Sequence, residues 1–259
     1  MLEKVKEMNY NNIFQFPDRC LLNKRLTKVF FTKNFDLTSS EKKVLNTSIT
    51  KMEWLASIKP ANSNIPIYKD TEYLFEEVQL MTCRVSVELE KVVKTIVGLF
   101  QKYIPYQIVL IIENETQWVM STCDKRINQN DGSKRTLENH FTTSPIEKSA
   151  EDKTNHAFVE TLSFSQLNKT NLKTVYESFT ESIIQLKSST LTGVFSKERK
   201  KRSKQDLEHL LKVESIQTEL ISLKSQLKKE TQLNKRVSLN MEIQQRKQDI
   251  ENIKHTLIQ

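Results

Sequence analysis

Apolar residues recur along the chain at spacings that predict its secondary structure. Positions 89, 92, 93, 96, 97, 99 and 100 are apolar at helical spacing, which predicts a helix from Val87 to Tyr103, before Ile104-Pro105. The continuous apolar block 107–113 is typical of a strand covered on both faces. The stretch 116–123 alternates like its antiparallel neighbour.

The remaining patterns in the first 190 or so residues predict further elements around this unit. A Thr or Ser N-cap within 38–40, followed by Glu41 and a run of apolar residues, predicts an amphipathic helix that ends near Lys59-Pro60. Strands are expected over 71–85, 135–143 and 157–164, a surface loop over 144–156, and a helix over 172–186. We therefore expect an α+β fold, a mixed and mostly antiparallel sheet with helices packed on one face.

The last 60 or so residues show a different pattern, apolar positions separated alternately by three and four residues. This spacing is typical of the seam of a coiled coil, and it occurs in two runs. The residues expected to mediate pairing or oligomerisation are Val213, Ile216, Leu220, Leu223, Leu227, Ile243, Ile250, Ile253 and Leu257. We place an α+β head at residues 1–192 and a basic linker with a helical coiled-coil tail at residues 193–259.

The two seams do not share one heptad phase. Steps of seven residues from Leu227 reach positions 234, 241 and 248, whereas the second seam contains Ile243 and Ile250, two positions further along. The break falls in the segment KKETQLNKR and admits two structures. One is an antiparallel hairpin that turns near 230–235, and the other is a single long helix that dimerises. The absence of Gly and Pro at the break weakens the first, while arms of near-equal length favour it. Self-association is expected in both cases.

The charge of the chain is concentrated in the tail. The net charge is +8, and residues 197–259 contain 15 Lys and Arg against 9 Asp and Glu, a net +6. A basic segment favours polyanionic partners, although an exposed, solvated helix explains the same excess. The longest apolar run, 108–112, is far too short to cross a bilayer, and the first residues lack an apolar secretory core. We expect a cytoplasmic protein without membrane contact.

Two basic segments are candidates for contact with nucleic acid. Basic residues flank an amide-rich turn in KRINQNDGSKR, and such groups position a phosphate backbone without reading sequence. The run KERKKRSK in the linker is the second candidate. The candidate residues are Lys24, Arg25, Lys125, Arg126, Lys134, Arg135, Arg199, Lys200, Lys201 and Arg202. A plain exposed turn and a solvated linker are the alternatives.

Motifs for catalysis, metals and cofactors are absent from the sequence. Three scattered glycines cannot build a phosphate-binding loop or a dinucleotide-binding turn. The four histidines show no zinc-binding spacing. The three cysteines have no CxxC spacing, and we expect them to be buried thiols. We predict no catalytic residue, no metal and no cofactor.

A metal-dependent nuclease is the enzymatic alternative that the sequence leaves open. Its minimal parts are carboxylates and a lysine near a sheet. The acids near predicted strands are Glu76, Glu77, Glu113, Glu115 and Asp124, with Lys125 beside the last. Their spacing specifies no site.

Several segments together resemble the bacterial domain-of-unknown-function family DUF4391. They are FPDRCLLNKRLTKVFF, EKKVLNTSITKMEWLASIKPANSNI, KYIPYQIVLIIE, CDKRINQNDGSKRTLENHFTT and KKETQLNKRVSLNMEI, in this order. The resemblance covers the chain from about Phe14 onward and transfers no catalytic residue. It implies a genomic context, namely small accessory proteins encoded beside helicases and DNA methyltransferases in restriction-like or antiphage loci.

The sequence as a whole leads to one functional hypothesis and a rival, and a purely structural scaffold that contacts protein alone is a third option. The first is a non-enzymatic accessory or adaptor subunit of a bacterial DNA-defence or DNA-processing complex. It would assemble with helicase or methyltransferase partners, and DNA contact through basic residues would be a second role. The rival is a divergent metal-dependent nuclease subunit of the same type of system, whose acids converge only in three dimensions.

Overall fold

The computed structural model describes residues 8–132, 134–149, 152–193, 195 and 203–258. The helices are α1 Tyr10–Phe14, α2 Lys28–Asn34, α3 Ser39–Thr47, α4 Pro60–Ser63, α5 Leu89–Tyr103, α6 Lys153–Thr161, α7 Leu172–Thr192, α8 Ser203–Lys229 and α9 Leu233–Ile258. The strands are β1 Leu21–Arg25, β2 Ile49–Ile58, β3 Tyr68–Lys69, β4 Leu74–Phe75, β5 Val78–Val85, β6 Gln107–Glu113, β7 Gln117–Ile127, β8 Arg135–Thr142 and β9 Ile146–Glu147.

A mixed sheet organises the first part of the chain. Its strands follow the order β1-β2-β5-β6-β7-β8, with β9 paired to β7, and β3 and β4 form a separate small sheet. Among the described strands of the main sheet, only β5 and β6 pair in parallel, and every other pair is antiparallel. The connection between the parallel strands is α5, which supplies the long crossover that a parallel pair requires. The α+β class and the mixed, mostly antiparallel sheet are confirmed.

Helices cover both faces of this sheet, not one face as the sequence suggested. On one face, α3 and α5 pack against β5 and β6 in the main apolar core, which includes Leu45, Ile96, Phe100 and Leu110. On the other face, Trp118 of β7 stacks on Phe158 of α6 with ring centroids 6.0 Å apart. The two faces are distinct because successive side chains of a strand point to opposite sides.

Tyr176 of α7 anchors the helix to the backbone of two strands. Its hydroxyl oxygen accepts a hydrogen bond from the Cys123 N–H at 2.7 Å, and it lies 3.0 Å from the Cys123 carbonyl oxygen and 3.2 Å from the Ile108 carbonyl oxygen. Tyr176 is buried, and this burial raises the pKa of its phenol well above the usual value. The phenol therefore stays protonated and satisfies backbone groups that water cannot reach.

Removing this hydroxyl should destabilise the protein. We expect Tyr176→Phe to lower the free energy of unfolding by about 1–3 kcal/mol, because the Cys123 N–H loses its acceptor inside the core. Urea unfolding followed by circular dichroism measures the change. Tyr106→Phe is the matched control, since that ring is 36% exposed. Equal stabilities of the two variants would contradict the anchoring role.

Several elements predicted from the sequence are confirmed. The crossover helix is α5, the continuous apolar block is β6, the alternating stretch is β7, the strand expected over 135–143 is β8, and the predicted helix at 172–186 lies within α7. All three cysteines are free and buried, as expected. The capping box is also present, since Thr38 N–H donates to Glu41 Oε2 at 2.7 Å and Glu41 N–H donates to Thr38 Oγ1 at 3.3 Å.

The long helix predicted from Thr38 to Lys59 is wrong in its second half. The helix α3 ends at Thr47, and β2 occupies Ile49–Ile58. This strand pairs with β1 on one side and β5 on the other, so that its backbone hydrogen bonds come from distant parts of the chain. Pairing with β1 and β5 therefore outweighs the local helical propensity of this segment. The spacing of apolar residues along the chain does not reveal such pairing.

The segment after β8 also differs from expectation. The strand predicted over 157–164 is absent, because α6 spans Lys153–Thr161 and a 3-10 turn follows at Phe164–Gln166. Asp152 caps α6 by accepting the Thr154 N–H at 3.0 Å. The predicted surface loop at 144–156 contains β9 and the start of this helix.

The chain divides into two compact units, Met1–Ile183 and Ile184–Gln259, and the division falls inside α7. In the second unit, α8 ends at Lys229 and α9 begins at Leu233, so the two helices form an antiparallel hairpin. We call α8 and α9 the hairpin. The expected C-terminal helices are therefore present, while their coiled-coil character stays a prediction. Among the described helices, none combines the length and the apolar character that a membrane span requires.

Candidate functional site

The predicted basic residues of the first unit lie at two opposite edges of the sheet. Lys24 and Arg25 are exposed on the edge strand β1, whereas Lys134 and Arg135 lie at the start of β8, the other edge. Five strand spacings separate these edges, which is about 24 Å. The two groups therefore do not form one surface.

The basic residues near the β8 edge make contacts with neighbouring residues of the same edge. Arg126 Nε lies 3.3 Å from Glu138 Oε1, and Lys134 Nζ lies 3.1 Å from Asp131 Oδ2. Arg135 Nη1 donates to the carbonyl oxygens of Gly132 and Lys134 at 3.0 and 3.1 Å. These contacts hold the turn between β7 and β8 and reduce the charge that it offers to a phosphate.

The prediction that Lys125 contacts nucleic acid is wrong, because its side chain is buried. Its side chain is 1% exposed, and Nζ donates to the carbonyl oxygens of Ile104 and Tyr106 at 2.7 and 2.6 Å. Burial, more than the neighbouring Arg135, lowers the pKa of Lys125 to about 7. The β-bulge between Cys123 and Lys125 accompanies this inward position. A buried amine cannot contact a phosphate backbone.

The candidates Arg199, Lys200, Lys201 and Arg202 lie outside the described residues. Their assignment as nucleic-acid contacts stays a prediction.

An ion-pair cluster around a buried carboxylate lies at the end of β6. Glu113 is 3% exposed, and its in-register neighbour on the parallel strand β5 is Arg84. Arg84 Nε and Nη2 each lie 3.0 Å from Glu113 Oε1, and Lys148 Nζ lies 2.6 Å from Glu113 Oε2. Lys148 also donates to the Asn114 carbonyl oxygen at 2.7 Å. We call Arg84, Glu113 and Lys148 the Glu113 cluster.

A small polar cavity of about 100 Å³ adjoins this cluster. Its lining includes Tyr10, Lys51, Glu53, Arg84 and Glu113. Burial first, and then the Glu113 carboxylate, raises the pKa of the Tyr10 phenol well above its usual value. The Lys51 Nζ lies 2.8 Å from Glu53 Oε1, so each acid in the lining is matched by a cation.

This arrangement is suited to stability more than to metal chemistry. Two cations already neutralise Glu113, and no group of three or more metal-ligating side chains occurs among the described residues. Asp124 accepts from Asn139 Nδ2 at 3.2 Å, and burial raises the pKa of its carboxyl. Glu77 accepts from Ser57 Oγ at 3.2 Å. Glu77, Glu113 and Asp124 thus make separate contacts.

Sequence reasoning identified Glu113 but not its partners. Arg84 and Lys148 are 29 and 35 residues away along the chain, and no motif joins them. Lys148 falls in a segment that the sequence predicts to be a surface loop. Only the register of β5 and β6 and the return of the chain at β9 bring the three side chains together.

The residues predicted for oligomerisation pack within one chain. Val213, Ile216, Leu220, Leu223, Ile243, Ile253 and Leu257 form one buried cluster, and Leu227 and Ile250 pack against it partly buried. Across the hairpin, Arg246 Nε lies 2.9 Å from Glu219 Oε2. These apolar side chains are therefore used inside the hairpin, and a self-association of the chain, which stays a prediction, would need other surfaces.

Comparisons with known proteins identify a family. The family model of the domain of unknown function DUF4391 matches residues 14–250. No curated protein and no solved structure matches the chain. Because the family model covers most of the chain, the chain belongs to the DUF4391 family.

Proposed function

We propose that the chain is a non-enzymatic accessory subunit of a bacterial DNA-defence or DNA-processing complex. Its first unit would dock onto a helicase or DNA methyltransferase subunit, and its hairpin would contact DNA. The observation that carries this proposal is the hairpin itself, which buries its apolar seam internally and leaves most of its described lysines and arginines exposed. With its turn, the hairpin carries ten lysines and arginines against eight acids, and this excess is concentrated around the turn, where it favours a polyanion.

The contacts of the acids also support a non-enzymatic role. Glu113 is held by two cations, and Asp124 lies apart with an amide partner. Metal-dependent cleavage requires carboxylates that converge on a cation. The described residues provide no such group. The nuclease alternative therefore gains no support from this geometry.

Co-purification from the native host tests the docking role. We expect a tagged chain to retain a helicase or methyltransferase subunit in comparable amount, identified by mass spectrometry, through washes that remove DNA. Size-exclusion chromatography of the purified chain with and without duplex DNA is the companion measurement. A strictly monomeric chain with no partner and no salt-sensitive DNA binding would defeat the proposal.

A cleavage assay separates the accessory role from the nuclease. We expect purified chain to leave duplex and single-stranded DNA intact in Mg²⁺ or Mn²⁺. Cleavage that Asp124→Ala abolishes while circular dichroism stays unchanged would overturn the non-enzymatic role. Asp124 suits this control better than Glu113, whose replacement perturbs a buried ion pair.

A further inference from the structure

The turn of the hairpin carries a group of exposed cations. Lys228 and Lys229 lie in the last turn of α8, and Lys224 lies one turn before Lys228. Lys235 and Arg236 lie in the first turn of α9. All five side chains are exposed. We call these five residues the hairpin tip.

The acid of this turn is already engaged. Glu230 is the only acidic residue between Lys224 and Arg236. Its Oε1 accepts from the backbone N–H groups of Thr231 and Gln232 at 2.9 and 2.8 Å. The hydrogen bond from Gln232 is the largest cause of the lowered pKa of Glu230. Glu230 therefore stabilises the turn. The five positive charges of the hairpin tip exceed the single negative charge of Glu230.

Two of the cations occupy positions that local stability disfavours. The first turn of α9 contains no acidic residue, and Lys235 and Arg236 stand where the helix dipole is positive. Departures from such local rules concentrate at functional sites. Lys228 and Lys229, at the end of α8, are favoured by the same dipole. The hairpin tip therefore carries more positive charge than the stabilisation of the two helix dipoles explains.

The tip is compact on the scale of a nucleic acid. Residues rise about 1.5 Å along a helix, and packed helices lie about 8–10 Å apart, so the five cations span roughly 15 Å. Duplex DNA carries one phosphate charge per about 1.7 Å of its axis. A surface of this size reaches several phosphates at once.

The outer face of α9 beyond the tip favours nucleic acid over a membrane. An open, exposed face of α9 there is formed by Val237, Asn240, Met241, Gln244, Gln245 and Gln248. Amide side chains donate to and accept from the sugar-phosphate backbone and base edges. A helix that lies in a membrane surface needs a continuous apolar face, which these four amides interrupt.

We propose that the hairpin tip binds the phosphate backbone of nucleic acid, with the amide-rich face of α9 lying along the same strand. This assignment rests on the proposed DNA contact of the hairpin and names the residues that make it. It differs from the contacts predicted in the linker and at the sheet edges.

Fluorescence anisotropy with labelled duplex and single-stranded DNA of about 30 nucleotides tests the assignment between about 50 and about 200 mM salt. The tip variant replaces Lys228, Lys229, Lys235 and Arg236 by Gln in the full chain. The matched control replaces Lys33, Lys42, Lys43 and Lys94 by Gln, four exposed lysines outside every candidate surface, so both variants lose four positive charges. We expect the tip variant to bind at least about 10-fold more weakly, with a salt slope smaller by about 3–4, since each phosphate contact contributes about 0.9.

Folding of the tip variant is checked in the same samples. Its helix content should be unchanged, because the replaced side chains are exposed and two of them oppose the helix dipole. Normal binding by both variants would overturn the assignment but retain the proposed DNA contact of the hairpin, whereas weak binding by the control and normal binding by the tip variant would overturn both. Absence of DNA binding by the unaltered chain would overturn both, and a preference for anionic vesicles over DNA would overturn the assignment.

Discussion

Replacing Glu113 by Ala is expected to lower the free energy of unfolding by about 3–5 kcal/mol, because it removes the carboxylate that faces the buried Lys148 ammonium. The Lys148 side chain is 6% exposed, and its Nζ lies 2.6 Å from the carboxylate that would be lost. Arg84 loses the same partner. Urea unfolding at neutral pH measures the change.

Two further variants separate the ion pair from general damage to the sheet. Glu115→Ala removes an exposed acid two residues away and should change stability by less than about 0.5 kcal/mol. Replacing Glu113 by Leu together with Lys148 by Met should recover much of the loss, since apolar side chains can substitute for a buried pair. Equal unfolding midpoints for Glu113→Ala and Glu115→Ala would contradict the structural role of the Glu113 cluster.

The buried amine of Lys125 should make stability depend on pH. Its pKa is about 7 in the folded chain, below the ordinary value of 10.5. Between these values the unfolded chain holds a proton that the folded chain lacks, so the stability of the folded chain rises with pH. Relative to Lys125→Met, we expect the folding equilibrium constant of the unaltered chain to rise about tenfold per pH unit between about pH 7 and 9.

The difference in folding free energy between the unaltered chain and Lys125→Met isolates Lys125, because the thiols and phenols of the core titrate in both chains. Below about pH 7 Lys125 is protonated in the folded and unfolded chains, and the difference should level off. Lys134→Met is the control, since that side chain is 73% exposed and its effect should not vary with pH. A constant difference between the unaltered chain and Lys125→Met across this range would show that the buried amine keeps its charge.

Both predictions concern groups that the sequence presents as ordinary surface charges. Glu113 is the last residue of an apolar strand and Lys125 lies in an amide-rich basic segment, and acids and lysines in such places are mostly solvated. The structure places both inside the first unit, with partners from distant segments. Their positions follow from strand register and a β-bulge, which no local pattern encodes.

Periodicity alone established the elements that carry their own apolar face. The crossover helix α5, the buried strand β6 and the two seams of the hairpin are visible in the spacing of apolar residues, because a helix or a buried strand must hide that face wherever it packs. The choice between a hairpin and a long dimeric helix was open, since both bury the same seams. The turn at residues 230–232 decides it in this structure.

Tertiary contacts decided the rest. The segment 49–58 has apolar residues compatible with a helix, and it becomes the strand β2 because β1 and β5 supply hydrogen bonds on both sides. The basic residues at 24–25 and 134–135 are separated because their strands form opposite edges of one sheet. Spacing along the chain reports which face of an element is apolar, whereas only the pairing of distant strands determines which charged side chains meet and which reach the surface.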